Sequence, residues 1–251
     1  MKGRVLAVAG SDSGGGAGIQ ADIKTVTALG GHAATAITAI TAQNASGVSA
    51  IAPLDADLVT AQIEAVAAAE IHATKIGMLA TAAIAEAVAA SIEALDLPLV
   101  VLDPVLASTT GTRLLDADGV QTLLLELLPR ALVITPNTLE AEPLSGRPIR
   151  SSADAREAAK RLHDMGAENV IITGGHAPGD ARSQRVVVDL LFDGRKFRES
   201  RVPRVAGRSP RGTGCSYASA VAAFLALGRP LPDAAARAQR HVARLIEHAP
   251  A

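Results

Sequence analysis

Val5-Leu6-Ala7-Val8-Ala9-Gly10-Ser11-Asp12-Ser13-Gly14-Gly15-Gly16-Ala17-Gly18-Ile19-Gln20-Ala21-Asp22 is the stretch on which the fold is decided. It opens on a wholly apolar run, residues 5–9, as in a strand covered on both faces. A glycine-rich turn follows. Beyond it a helix is expected over residues 17–29, where Ile19, Ile23 and Val26 fall at i, i+4 and i+7 on one face. Gly30-Gly31 ends it.

The same alternation runs outward along the chain. Residues 33–39 form a weaker strand, rich in Ala and Thr. A helix over 55–69 precedes a strand at 73–76, and a helix over 81–95 precedes a strand at 99–102. A helix over 116–125, a strand at 131–134, a helix over 152–165 and a strand at 169–172 continue it. Apolar strands spaced by helices imply an α/β fold with a mostly parallel sheet covered on both faces. The pattern breaks once, at residues 185–192 and 196–203, two extended runs joined through Asp193-Gly194 as in a β-hairpin. Helices over 215–227 and 233–247 close the chain, with Ala218, Val221, Ala222 and Leu225 as the buried face of the first. With no linker, repeat or charge block, one domain over residues 1–251 is expected.

Composition excludes several function classes. Aromatic residues make up 2% of the chain and Trp is absent, so there are few rings on which to stack bases. Basic residues (24) nearly balance acidic ones (25), which gives no counterion-release drive toward nucleic acid. No apolar stretch has membrane-spanning length, and the short one near the start is no signal-peptide core. A single Cys rules out an internal disulfide and fits a cytoplasmic protein.

Chemistry concentrates where strands end. The turn at residues 10–18 lets backbone approach a ligand, with a helix N-terminus behind it that favours anions. Gly16-x-Gly18-x-x-Ala21 loosely fits a dinucleotide fingerprint, but the chain from Asp22 to Asp55 holds no acid between them to take the ribose. A Walker A loop fails because no Gly-Lys pair occurs. Gly212-Thr213-Gly214-Cys215 opens a helix, a second cradle for negative charge, where Cys215 is either an activated thiol or a small packed side chain. Arg208 and Arg211 lie just upstream, placed to neutralise phosphate or simply solvated. Asp103, Asn137 and Glu140 arrive at strand ends together with Thr173-Gly174-Gly175, an oxygen-rich set suited to Mg²⁺ and phosphate, although each singly is also a good helix cap or turn former. Gln43 offers an amide donor and acceptor side by side, suited to an aminopyrimidine edge.

These runs together resemble a known family. Residues 9–22, Ile40-Thr41-Ala42-Gln43-Asn44, Lys75-Ile76-Gly77-Met78-Leu79, Asp103-Pro104-Val105, Ile134-Thr135-Pro136-Asn137 and Gly212-Thr213-Gly214-Cys215 are similar to the motifs of the hydroxymethylpyrimidine/phosphomethylpyrimidine kinases, in the same order over residues 4–248. The resemblance implies a ribokinase-like three-layer α/β/α sandwich and two successive ATP-dependent phosphorylations in thiamine biosynthesis. It implies Cys215 as the base, with the Gly212, Thr213, Gly214 and Cys215 N–H groups on the transferring phosphoryl group. It places Gln43 on the pyrimidine, Met78 and Val105 as apolar walls, and Gly10 and Asp22 at the substrate. Asn137, Thr173, Gly175, Arg208 and Arg211 are placed on ATP, and Asp103 and Glu140 on Mg²⁺. Relatives often form homodimers, so a homodimer is expected. Thr173 and Ala107 stand where relatives carry Lys. A pyridoxal or pyridoxine kinase on the same scaffold, a pyrimidine-binding relative without activity, and a nicotinamide oxidoreductase are the alternatives.

Overall fold

The computed structural model describes residues 3–176, 185–205 and 210–249. Strand β1 (Arg4–Asp12) and helix α1 (Gly18–Ala28) flank the glycine turn, and β2 (His32–Asn44) and β3 (Gly47–Pro53) follow. Then come α2 (Ala56–Ala67), β4 (Ala73–Ile76), α3 (Ala82–Ala94), β5 (Val100–Leu102) and α4 (Ala117–Thr122). The remainder is β6 (Val133–Ile134), α5 (Thr138–Ser145), α6 (Ser152–Asp164), β7 (Val170–Ile172), β8 (Val186–Phe192), β9 (Phe197–Pro203), α7 (Thr213–Ala226) and α8 (Leu231–His248).

Among the described residues one sheet runs in the order β3-β2-β1-β4-β5-β6-β7-β8-β9. The strands from β2 to β7 are parallel, and β3, β8 and β9 add antiparallel edges. Strand residues alternate between two helical layers. Leu6, Ile76, Leu102 and Ile134 pack with Ile63 of α2 and Leu162 of α6. Val5, Ala73, Val101 and Val133 pack with Val26 of α1 and Val221 of α7. This is the expected three-layer sandwich, filled by aliphatic side chains.

Three local features differ from the sequence expectation. The parallel pattern breaks at a second antiparallel pair, β2 and β3, which meet through Asn44 opposite Gly47. Asn44 Oδ1 accepts the Ser46 N–H at 2.8 Å and closes the turn. Small and exposed residues along β3 carry no apolar alternation, so its pairing is set by this local turn. Residues 138–145 form α5, where only a strand-end loop was read. Asn137 caps it, and Glu140 returns a bond to the Asn137 N–H, a complete capping box. Finally, Ile23 is 40% exposed, while Asp22 is fully buried in its place on the inner face of α1. The helix is turned so that this carboxylate meets Lys75.

Candidate active site

The parallel strands end their carboxyl edges beside the two glycine-rich segments. Asp12, buried at the end of β1, folds the first of them. Its Oδ1 accepts the Gly14 N–H at 2.8 Å, and its Oδ2 accepts those of Gly16 and Ala17 at 2.9 and 2.8 Å. Gly212 (φ +76°) presses against Gly16 and Ala17, where any Cβ would collide with backbone. The two segments therefore meet backbone to backbone.

Helix α7 starts directly behind this contact. Its N-cap is Gly212, which offers no side chain to the first-turn N–H groups, so the end of a 14-residue helix is left to other acceptors. Cys215 lies in that first turn. It is buried beside Lys75, Asp103 and Asp22, whose charges act on its sulfur. Burial pushes the thiol pKa up, the Lys75 charge pulls it back, and Asp103 and Asp22 push it further up.

Beneath Cys215 lies a buried charge cluster. Lys75 Nζ sits 3.0 Å from Asp22 Oδ1 and 3.6 Å from Asp103 Oδ2, with the lysine side chain wholly buried. Ser219 Oγ of α7 donates to Asp22 Oδ1 at 2.7 Å. Burial alone would lower the lysine pKa, but Asp22, Cys215 and Asp103 raise it, so the ammonium stays charged. Burial raises both Asp22 and Asp103 against the pull of Lys75. Asp22 has its oxygens engaged by Lys75 and Ser219 and no solvent exposure. The resemblance places it at the substrate, and its contacts in the structure are Lys75 and Ser219. Lys75 and Ser219 were missed as site residues; the signal for Lys75 was a lone charge in an otherwise apolar strand in the middle of a parallel sheet.

The remaining residues divide into two halves across the sheet. On the β1–β2–β4 half, Gly10 packs on the Met78 sulfur. Met78 and Val105 belong to one apolar cluster with Ala39, Ala80 and Leu114. Gln43, at the end of β2, exchanges hydrogen bonds with Ser13 of the glycine loop through its backbone N–H (3.0 Å) and carbonyl (3.2 Å). Arg211, which the resemblance places on ATP, lies on this half, 3.6 Å from Asp12. Arg208 falls outside the described residues.

On the β6–β8 half, Thr173 bridges to Asn137 and donates its N–H to Pro136 at 2.9 Å. Asp189 Oδ1 accepts the Gly174 N–H at 2.9 Å, and Arg204 Nη1 donates to the Gly175 carbonyl at 3.1 Å. Arg204 brings a cation to the loop that follows Thr173. Asn137 Oδ1 is occupied as the helix cap, accepting from Leu139 and Glu140.

Asp103 and Glu140 stand between the halves. Asp103 Oδ2 is buried with no hydrogen-bond partner among the described residues. Burial and the Asp103 charge raise the Glu140 pKa to about 8, against the bonds from Asn137. Two carboxylates that repel each other, one with an oxygen that accepts no hydrogen bond, fit a divalent cation that takes few protein ligands and keeps its other positions for water and phosphate. The described residues contain no cluster of three metal-ligating side chains.

The model of the phosphomethylpyrimidine kinase family matches residues 12–251. The chain belongs to that family. It is 45% identical to the thiamine biosynthesis bifunctional protein of Geobacter sulfurreducens, over 98% of this chain and 49% of that protein. It is 43% identical to the hydroxymethylpyrimidine/phosphomethylpyrimidine kinase of Bacillus subtilis, over 98% of this chain and 89% of that one. The chain thus spans about half of the bifunctional relative and nearly all of the single-function one. Among solved structures, the pyridoxal kinase of Staphylococcus aureus in complex with AMP-PCP and pyridoxal superposes with a TM-score of 0.87 at 34% identity, over 98% of this chain and 88% of that one. As a phosphomethylpyrimidine kinase family member, the protein is a ribokinase-like phosphotransferase that uses ATP on a small molecule. No helix among the described residues is long and apolar enough to cross a membrane.

Proposed function

We propose that the protein phosphorylates 4-amino-5-hydroxymethyl-2-methylpyrimidine with ATP, and then the monophosphate to the diphosphate, for thiamine biosynthesis. The observation that carries this reading is Cys215 in the uncapped first turn of α7, buried beside Lys75 and Asp103 where Gly212 packs against the glycine loop.

Phosphoryl transfer asks the protein mainly for positioning and charge stabilisation. The Thr213, Gly214 and Cys215 N–H groups supply the second, at the positive end of α7. Gln43 orients the aminopyrimidine edge, with Met78 and Val105 along the ring. Burial keeps Cys215 a thiol, so it acts as a relay. It takes the hydroxyl proton as the new O–P bond forms and passes its own proton to Asp103. Lys75 holds Asp103 in place for this and keeps the net charge of the cluster low. Asn137, Thr173, Gly175 and Arg204 line the nucleotide half. Mg²⁺ held by Asp103 and Glu140 would neutralise charge on the ATP phosphates.

The second reading, a pyridoxal kinase, is favoured by the superposition on the Staphylococcus aureus enzyme. Identities of 43–45% to proteins named for thiamine biosynthesis or the pyrimidine kinase, against 34% there, favour the pyrimidine. Competition between the two substrates decides: a higher kcat/KM for the pyrimidine is expected, and a higher value for pyridoxal would replace the assignment. The continuous sheet supports one kinase domain over residues 1–251. The exposed edge of β3, beside Ile40 at 46% exposure, supports a homodimer paired through that edge, which sedimentation would test. The single cysteine supports a cytoplasmic location.

A further inference from the structure

The Arg211 guanidinium lies in the seam between the two glycine-rich segments. Its Nη1 is 3.6 Å from Asp12 Oδ2, longer than a hydrogen bond. Asp12 is already committed to the N–H groups of Gly14, Gly16 and Ala17. Nη1 is consequently buried with no hydrogen-bond partner among the described residues. A buried cationic donor that makes no hydrogen bond is costly, and an incoming anion relieves that cost.

Its surroundings tell which anion. A Cβ on Gly14 would stand 2.7 Å from Arg211 Nη2 and 2.8 Å from the Gln43 carbonyl oxygen, so the guanidinium and the end of β2 converge on one place. The nucleotide residues Asn137 and Thr173 follow β6 and β7, beyond β4 and β5 in the sheet. Arg211 therefore faces the substrate half. Two other cations near it are committed: Lys75 between Asp22 and Asp103, and Lys24, exposed and bonded to the Gly15 carbonyl at 2.8 Å.

We propose that Arg211 is a specificity residue for the second phosphorylation, binding the phosphate of the pyrimidine monophosphate. The proposal rests on the kinase reading above. The first substrate is neutral, whereas the second brings a phosphate to the end of the molecule that reacts. Its charge must be met beside the transferred phosphoryl group, without drawing on the donors of α7. A guanidinium with a free donor edge, loosely paired to Asp12, suits that task by its planar, multi-donor geometry.

The test is the ratio of the two steps in R211Q and R211K, measured with the pyrimidine and with its monophosphate at saturating ATP, together with the KM for ATP and a melting curve. In R211Q the second-step kcat/KM is expected to fall about 10- to 100-fold relative to the first, the effect of losing a charge-assisted hydrogen bond, and to appear in the KM for the monophosphate. R211K recovers part of it, and carries the test alone if R211Q does not fold. Equal losses in both steps, a change confined to the KM for ATP, or no change overturns the proposal. A wild-type protein that turns over neither pyrimidine would instead overturn the kinase reading on which it rests.

Discussion

Lys75 Nζ lies 3.0 Å from Asp22 Oδ1, and neither side chain has any exposure to solvent. Removing one partner of such a pair strands the other charge in the core. Lys75→Met is expected to lose about 3–5 kcal/mol of stability in urea denaturation. The double variant Lys75→Met with Asp22→Asn should regain part of that loss. Independent, additive effects would show that the two groups are not coupled.

Cys215→Ala removes the relay without opening a large cavity. It is expected to keep the wild-type melting curve while kcat falls by about 10²- to 10⁴-fold, the range for a lost general acid–base group. Turnover near the wild-type rate would take Cys215 out of the proton path.

Gln43 is tied to the glycine loop through its backbone, which leaves the loop intact when the side chain is shortened. Gln43→Ala should raise the KM for the pyrimidine by about 10-fold, with a smaller change for ATP. Equal effects on both would place its amide outside the pyrimidine site.

Asp189 gives the fold a pH dependence of its own. Burial raises its pKa to about 6, although the Gly174 N–H and the nearby Gln239 and Tyr217 side chains pull it down. Below about pH 4 the carboxyl is protonated in both folded and unfolded chains, and its burial carries no charge penalty. As pH rises toward 6 the unfolded chain releases its proton first, so this contribution to stability is lost and stays lost above. Asp189→Asn keeps an acceptor for Gly174, so its stability should be flatter across pH 4–6. At pH 7.5 it should be more stable than wild type by up to roughly 2–3 kcal/mol. A melting temperature with the same pH slope in both proteins would contradict this.

Much of this was legible in the chain, and the rest was hidden for identifiable reasons. Apolar strand runs and glycine turns read directly, because a buried parallel strand admits little else. The β3 strand did not, since Gly47–Pro53 is half-exposed and made of small residues whose pairing depends on the turn at Asn44. Cys215, Asp103 and Glu140 are legible as candidates from their place at element ends. The role of Lys75 is not legible, because its partners Asp22 and Asp103 come from distant parts of the chain. The place of Arg211 beside Asp12 is not legible in the sequence, since a loop residue carries no record of which strand it returns to.

The central claim is tested most directly by following a mixture of protein, ATP, Mg²⁺ and 4-amino-5-hydroxymethyl-2-methylpyrimidine by phosphorus NMR. The account expects the monophosphate ester to appear and then to give way to the diphosphate as ADP accumulates. ADP formed only with pyridoxal, or no phosphate ester on the pyrimidine at all, would contradict it.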